Sequence, residues 1–326
     1  MERPDQVDEP PEASHEALLY RAHMALPPSP PTTIRPGSAI FSCVIDANPQ
    51  LEYAAWIWAT TLTAYGGQSP SSLAIHFVDD CAPQLRRYFT ECGINTASVD
   101  RYDVGHPPSN KLAQLTSPLL TGADHYVLCD CDLAFCDDSS PWIDGDRIRA
   151  KLVDCAVFSL DDWMRILTAS GLVGNHTSGG FPLPTATTLD DKPTIKTYCN
   201  GGLLVLPTHA FEVLKEAWPR WHRWLQDRSE LLGEHHYHLD QVSFALACIA
   251  EELHIDLLPD RLNLPTHLLD HLENLEGVDP VVLHFHHRAT TRGLLHPTGV
   301  ASVDAGIAQV NALIGQRLEQ VNDDLF

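Results

Sequence analysis

The sequence predicts an α/β fold with a mostly parallel central sheet flanked by helices. Three observations carry that expectation: apolar runs of strand length alternate with helical stretches through the first half, glycines close those stretches, and carboxylates stand at the ends of the apolar runs. From Ala39 the run AIFSCVI reads as a strand, Leu51 to Tyr65 as a helix closed by Gly66 and Gly67, LAIHFV as a second strand, and Pro83 to Cys92 as a helix stopped by Gly93. A short strand around Ala97 to Val99, a helix from Asn110 to Leu120 and the strand HYVLC complete this β-α-β-α series. In the second half CAVFSL reads as a strand, Gly171 to Pro193 has loop composition, YCNGGLLVLP is a strand and Ala210 to Gln226 a helix. A helix from Leu239 to Leu253, the strands HIDLLP and VVLHF, and an amphipathic helix from about Val303 to Val321 follow. Residues 1–36 hold eight of the 24 prolines and are expected to form a disordered tail, leaving 37–300 as the folded domain and 301–326 as a C-terminal helix.

With 43 Asp and Glu against 21 Lys and Arg, the formal charge of −22 repels polyanions, which excludes nucleic acid and anionic membrane surfaces as partners. An anionic small substrate would need a local cation. The sequence contains no apolar run of about 18 residues to span a bilayer and no charged-then-apolar secretory leader, so a soluble, cytoplasmic protein is expected. Nine cysteines, scattered through strand-like and helix-like segments, fit buried reduced thiols better than a disulfide framework.

The run YVLCDCDLAF, Tyr126 to Phe135, is the most informative stretch. Read as a strand, it points Asp130 and Asp132 to one face and Cys129 and Cys131 to the other. Adjacent carboxylates repel unless a cation sits between them, and hard oxygen ligands suit Mg²⁺ or Mn²⁺. A DxD pattern alone also fits a solvated turn. Its place after an apolar strand, and the downstream VVLHFHH in which His284 and His286 share a face, favour a site of two carboxylates and an imidazole. Zinc is the rival ion, because Cys129, Cys131 and Cys136 lie close together, but no spaced CxxC pair is present. Asn200-Gly201-Gly202 interrupts strong β-formers, which costs stability unless a ligand or another backbone approaches closely; a bulge is the alternative. Lys111, near the expected crevice, is a phosphate candidate, and Asp240 is either a site residue or a helix cap. HHYH at 235–238 fits a metal site or a polar loop, and Trp218, Trp221 and Trp224 fit core packing better than sugar stacking.

In order, these pieces resemble a GT-A glycosyltransferase, nearest in pattern to the family 8 group of glycogenin and bacterial galactosyltransferases, over roughly residues 39 to 290. NKLAQL precedes the DxD strand, CNGGLLVLP follows it, then HLDQVSFALA, LPDRLN through Asn263, and LHFHHR. The resemblance implies that Asp130, Asp132 and His284 bind Mn²⁺ (or Mg²⁺) that bridges the donor's phosphates, and that Lys111 contacts the donor. It further implies that Asn200 and Gly201 line the sugar and acceptor side, and that Asp240 and Gln241 border the reacting carbon. Asp46 and Asp79 are weaker candidates for nucleoside contacts. The usual Gly and Lys-Pro-Trp after His-Phe are replaced by HHRATTRG, where Arg288 or Arg292 takes over a phosphate contact.

The reaction expected from the resemblance is transfer of a hexosyl group from a nucleoside diphosphate sugar, UDP-sugar being the favoured donor over cytidine and guanosine sugars, to an acceptor hydroxyl of unknown identity. Retention is expected, with Asp240 stabilising positive charge on the sugar; inversion would need Asp240 or a loop carboxylate such as Asp190 as base. Two alternatives stand beside it: a non-catalytic sugar- or nucleotide-binding protein of the same fold, and a sugar nucleotidylyltransferase, against which FSCVIDANPQ offers no glycine-rich phosphate loop.

Overall fold

Strand β1 (Ala39–Ile45) alternates its side chains between two cores, Phe41, Cys43 and Ile45 on one face and Ile40 on the other. A computed structural model of the chain describes residues 38–172, 183–268, 271, 275 and 277–319; the stretch 1–36 read as a tail lies outside them, as does the helix end near Val321. After β1, Asn48 caps helix α1 (Pro49–Ala64), accepting from the Gln50 N–H at 2.9 Å with Pro49 in the first helical position. β2 (Leu73–Val78), α2 (Pro83–Glu91) and β3 (Asn95–Val99) continue the series. The expected helix Asn110 to Leu120 is instead a 3₁₀ helix, Pro107–Thr116, opened by two prolines and tied down by the buried side chains of Ser109, Asn110 and Gln114. It delivers the chain to β4 (His125–Cys129) and the short β5 (Leu133–Phe135).

The second half departs further from expectation. CAVFSL is not a strand: the strand is β6 (Ile148–Leu152), and helix α3 (Leu160–Ser170) begins at the end of the supposed run. The reason is a capping box at Ser159 and Asp162, with Gly171 ending the helix at φ 72°. Within the loop-like stretch, β7 (Thr185–Thr187) and β8 (Pro193–Ile195) form a small antiparallel pair. Then come β9 (Cys199–Pro207), α4 (Thr208–Gln226), α5 (Leu239–Ala250), β10 (Ile255–Leu257), β11 (Leu264–Pro265), β12 (Val282–His284) and α6 (Ala301–Leu318).

Seven strands form the main sheet in the order β10-β6-β9-β4-β1-β2-β3, parallel throughout except that β9 runs antiparallel to both neighbours. Side chains of α1, α2 and α6 cover one face, including Trp56, Leu85, Phe89 and Ile307. Those of α4, α5 and the 3₁₀ helix cover the other, including Leu115, Phe211, Trp218 and Phe244. Strands β11, β12 and β5 make a second, three-stranded sheet beside the main one. Among the described residues no helix is long and apolar enough to cross a membrane.

Helix α1 is tied to the small sheet through Thr61. Its fully buried Oγ1 accepts from the Phe135 N–H at 3.0 Å and donates to the Ile57 carbonyl at 2.8 Å. Thr61→Val keeps the shape but strands the Phe135 N–H, so urea denaturation should record a loss of about 1–3 kcal/mol; unchanged stability would show that this bond does not anchor β5.

Candidate active site

Leaving β1, the chain fills β2 and β3 on one side and then crosses to β4 on the other. This makes the carboxyl ends of β1 and β4 a topological switch point. A cleft of about 830 Å³ opens there, lined by Asp46, Arg101, Lys111, Asp130, Asp132, Asn200, Asp240, Gln241, His284 and His286 among others. β4 stops at Cys129, so Asp130 and Asp132 stand in the turn leading to β5 and not on one strand face as predicted. The turn separates their roles: Asp130 Oδ1 lies 2.7 Å from Lys111 Nζ, whereas Asp132 faces His284 Nε2 at 3.3 Å and His286 Nδ1 at 3.7 Å. Burial opposes ionisation of Asp132, and attraction to His284 outweighs it, holding the carboxyl well below the ordinary range. Burial likewise works against the His284 cation, and Asp132 prevails and raises its pKa. For Asp130 burial is the larger effect and the pKa rises, with Lys111 opposing.

His284 is aimed by a buried polar chain. Asn263 Nδ2 donates to Asn200 Oδ1 at 3.1 Å, which leaves Asn263 Oδ1 as the acceptor for His284 Nδ1–H at 2.9 Å. Asn200 in turn donates from Nδ2 to Asp154 Oδ2 at 2.6 Å, and Asp154 is paired with the buried Lys151. With Nδ1 held by Asn263, Nε2 of His284 is turned toward Asp132 Oδ1 at 3.3 Å, so the ring is fixed on one side and paired with a carboxylate on the other. Gly202 explains its own presence: a Cβ there would lie 2.6 Å from His284 Cε1.

Lys111 occupies the other half of the cleft. Its ammonium sits between Asp130 and Asp240, 3.3 Å from Asp240 Oδ2, and donates to the Gly201 carbonyl at 3.2 Å. Burial disfavours its charge, but the two carboxylates outweigh that and raise its pKa. Asp240, in the first turn of α5, is buried with Oδ1 unpartnered among the described residues, and so is Gln241 Oε1. At the β1 end, Arg101 grips Asp46 through both terminal nitrogens at 2.6 and 2.5 Å, and Asn110 donates to Asp46 at 3.0 Å. The guanidinium keeps the Asp46 carboxyl below its usual range.

No protein-family model matches the chain, and no curated protein matches it in sequence. Among solved structures it is similar to an active-site mutant of LgtC at 13% identity, with a TM-score of 0.52 over 85% of this chain and 95% of that one. The chain has the GT-A glycosyltransferase fold. It is also similar to the galactosyltransferase LgtC in complex with donor and acceptor sugar analogs (15% identity, TM-score 0.47, 85% and 95% covered). Mouse xyloside xylosyltransferase 1 is a further match (15% identity, TM-score 0.45, 76% and 97% covered).

Within this GT-A fold the cleft gathers Asp46, Lys111, Asp130, Asp132, Asn200, Asp240, Gln241 and His284, with Gly201 reaching it through its carbonyl. It does not gather Asp79, Arg288 or Arg292. Asp79 is half-exposed and paired with Arg101 at 3.1 Å, and Arg288 donates to the Pro297 carbonyl at 2.7 Å. Asp190 also lies outside the lining and pairs with Lys192 at 2.8 Å. Cys129, Cys131 and Cys136 are buried and pack with the core, where burial raises their thiol pKa values. Trp218 is core, its Nε1 donating to the Asp240 carbonyl at 3.1 Å. Arg101, Lys151 and Asp154 were absent from the sequence reading, because nothing local marks them.

The two glycines of β9 differ in what presses on them. At Gly202 the neighbour is the His284 ring, fixed by Asn263, while at Gly201 it is the end of the long Lys111 chain, 2.8 Å from an added Cβ and able to shift along its four-carbon stem. Chemical denaturation should show Gly202→Ala costing about 1–3 kcal/mol and Gly201→Ala less. Equal losses would contradict the close packing of His284 on β9.

Proposed function

We propose that the chain is a nucleotide-sugar-dependent glycosyltransferase that moves a hexosyl group from a nucleoside diphosphate sugar to an acceptor hydroxyl with the help of a divalent cation. The observation that carries this reading is Asp132 facing Nε2 of the buried His284 at 3.3 Å in a cleft at the strand switch point. The charge balance of the cleft points the same way. Its lining holds Asp46, Asp130, Asp132 and Asp240 against only Arg101 and Lys111, so a diphosphate entering without a cation would meet net repulsion.

The donor set fits the ion: the Asp132 carboxylate and the Nε2 of His284 face each other at 3.3 Å, and a cation held between them would replace the imidazole's proton as the carboxylate's counter-charge. When bound, such a cation supplies Lewis-acid stabilisation of the departing diphosphate. Lys111 adds a second positive charge for the phosphate oxygens, already oriented by Asp130 and Asp240 and therefore needing little rearrangement. Asp240, which lines the cleft and meets Lys111 through Oδ2, would stabilise positive charge developing on the sugar ring, as a retaining reaction requires. Asn200 acts through His284 and is a positioning residue here. Uridine diphosphate sugars are the first donors to test.

A panel of nucleoside diphosphate sugars, each with Mn²⁺ and with chelator, should reveal one donor whose diphosphate is released only with metal. Asp132→Ala should lower that rate by roughly 10²–10³-fold, the scale of losing one electrostatic stabiliser, while the metal-free variant still unfolds in one cooperative transition. Full turnover in Asp132→Ala, or no response to any donor, would contradict the proposal.

A further inference from the structure

Trp218, His222 and Gln226 follow one another at four-residue spacing along one face of α4, and the polar end of each meets a segment that feeds the cleft. Trp218 Nε1 donates to the Asp240 carbonyl at 3.1 Å, in the first turn of α5. His222 Nε2 lies 2.6 Å from Ser109 Oγ, in the 3₁₀ helix that carries Lys111, and Gln226 Nε2 donates to Asp103 Oδ2 at 2.8 Å. Asp103 turns the chain into that helix, its Oδ1 accepting from the Gly105 and His106 N–H groups at 2.7 and 3.1 Å. His106 closes the circuit. Its Nδ1 meets Ser109 Oγ at 2.7 Å, and its Nε2 donates to the Tyr237 carbonyl at 3.1 Å, in the turn just before Asp240.

The direction of this chain of bonds follows from its end. The Tyr237 carbonyl can only accept, so His106 Nε2 carries a proton; in a neutral ring Nδ1 then accepts the Ser109 hydroxyl proton, and Ser109 Oγ accepts from His222 Nε2. Burial pushes the His222 pKa down to about 4, so that donor is a neutral imidazole. Asp103, His106, Ser109 and His222 are all buried, and apolar side chains would fill the same space without the cost of desolvating them. What the polar chain adds is a fixed distance, because it fastens the segment carrying Lys111 and the segment carrying Asp240 to one helix. Across that joint Lys111 Nζ stands 3.3 Å from Asp240 Oδ2.

Resting on the transferase reading above, we propose that His222 is a positioning residue for the transfer step, holding the Lys111 ammonium against the Asp240 carboxylate through Ser109 and His106. His222 is not among the residues that line the cleft, so its effect passes entirely through the groups it holds. A shift of the 3₁₀ helix away from α4 would part the cation that meets the phosphates from the carboxylate beside the reacting sugar.

The test compares the full chain with His222→Phe, which fills the space without the donor, and with His222→Gln, whose side-chain amide can replace the imidazole N–H. Lysine acetylation by acetic anhydride, read by mass spectrometry at Lys111 and at the buried Lys151 as an internal control, requires no sugar donor. Lys111 should react several-fold faster in His222→Phe while Lys151 does not change, and should return toward the native rate in His222→Gln. With Mn²⁺ and a uridine diphosphate sugar that the native chain turns over, His222→Phe should lower kcat by about 10–10²-fold at a donor KM within about threefold, and His222→Gln should recover most of that loss. Unchanged Lys111 labelling or unchanged kcat in His222→Phe would overturn the proposal. So would a parallel rise at Lys111 and Lys151, which would show that His222 only stabilises the fold. Failure of every donor in the native chain would overturn the transferase reading and the transfer role with it, while the labelling would still show whether His222 holds Lys111 in place.

Discussion

The buried chain from Asp154 through Asn200 and Asn263 to His284 is the constraint on which the site depends. It joins the turn after β6, the start of β9, the entry to β11 and the end of β12, so one set of side-chain hydrogen bonds ties the main sheet to the small one. Each link is buried, and a partner lost there would leave an amide or imidazole unsatisfied at a cost of about 1–3 kcal/mol. The amide orientations follow from one another. Because Asn200 must donate to Asp154, its oxygen must accept from Asn263, and His284 is left with Nδ1 as donor and Nε2 directed at Asp132.

The same economy governs charge. A chain of net charge −22 gathers four aspartates in its main cleft, and the two cations present are already engaged, Arg101 with Asp46 and Asp79, Lys111 with Asp130 and Asp240. The proposed cation would offset that negative charge before a diphosphate enters. Lys111 is then the group that a diphosphate can draw upon without any large movement, since its two carboxylates hold it at the cleft and not in solvent.

Much of the parallel half was legible in the sequence, since strands buried on both faces read as continuous apolar runs and Gly66, Gly67 and Gly93 mark the stops. The position of the carboxylates at the strand ends followed from that reading. Pairing direction was not legible: nothing in CNGGLLVLP distinguishes a strand lying antiparallel to both neighbours from a parallel one. CAVFSL misled because apolar content outweighed the Ser159-x-x-Asp162 cap that starts a helix there, and IRAKL hid a strand behind Arg149 and Lys151. Within the site, His284 and His286 lie side by side, but the strand ends at His284 and a turn, not alternation, brings His286 there, while the Lys111–Asp130 and Asp154–Asn200 contacts join residues 19 and 46 positions apart, beyond any local pattern.

The most direct test of the account is a crystal structure of the chain grown with uridine diphosphate and Mn²⁺. The account predicts the ion against Asp132 and His284, with the diphosphate bridging from it toward Lys111 in the cleft between the ends of β1 and β4. A nucleotide bound elsewhere, or an ion seated on other ligands while His284 Nε2 stays paired with Asp132 alone, would contradict it.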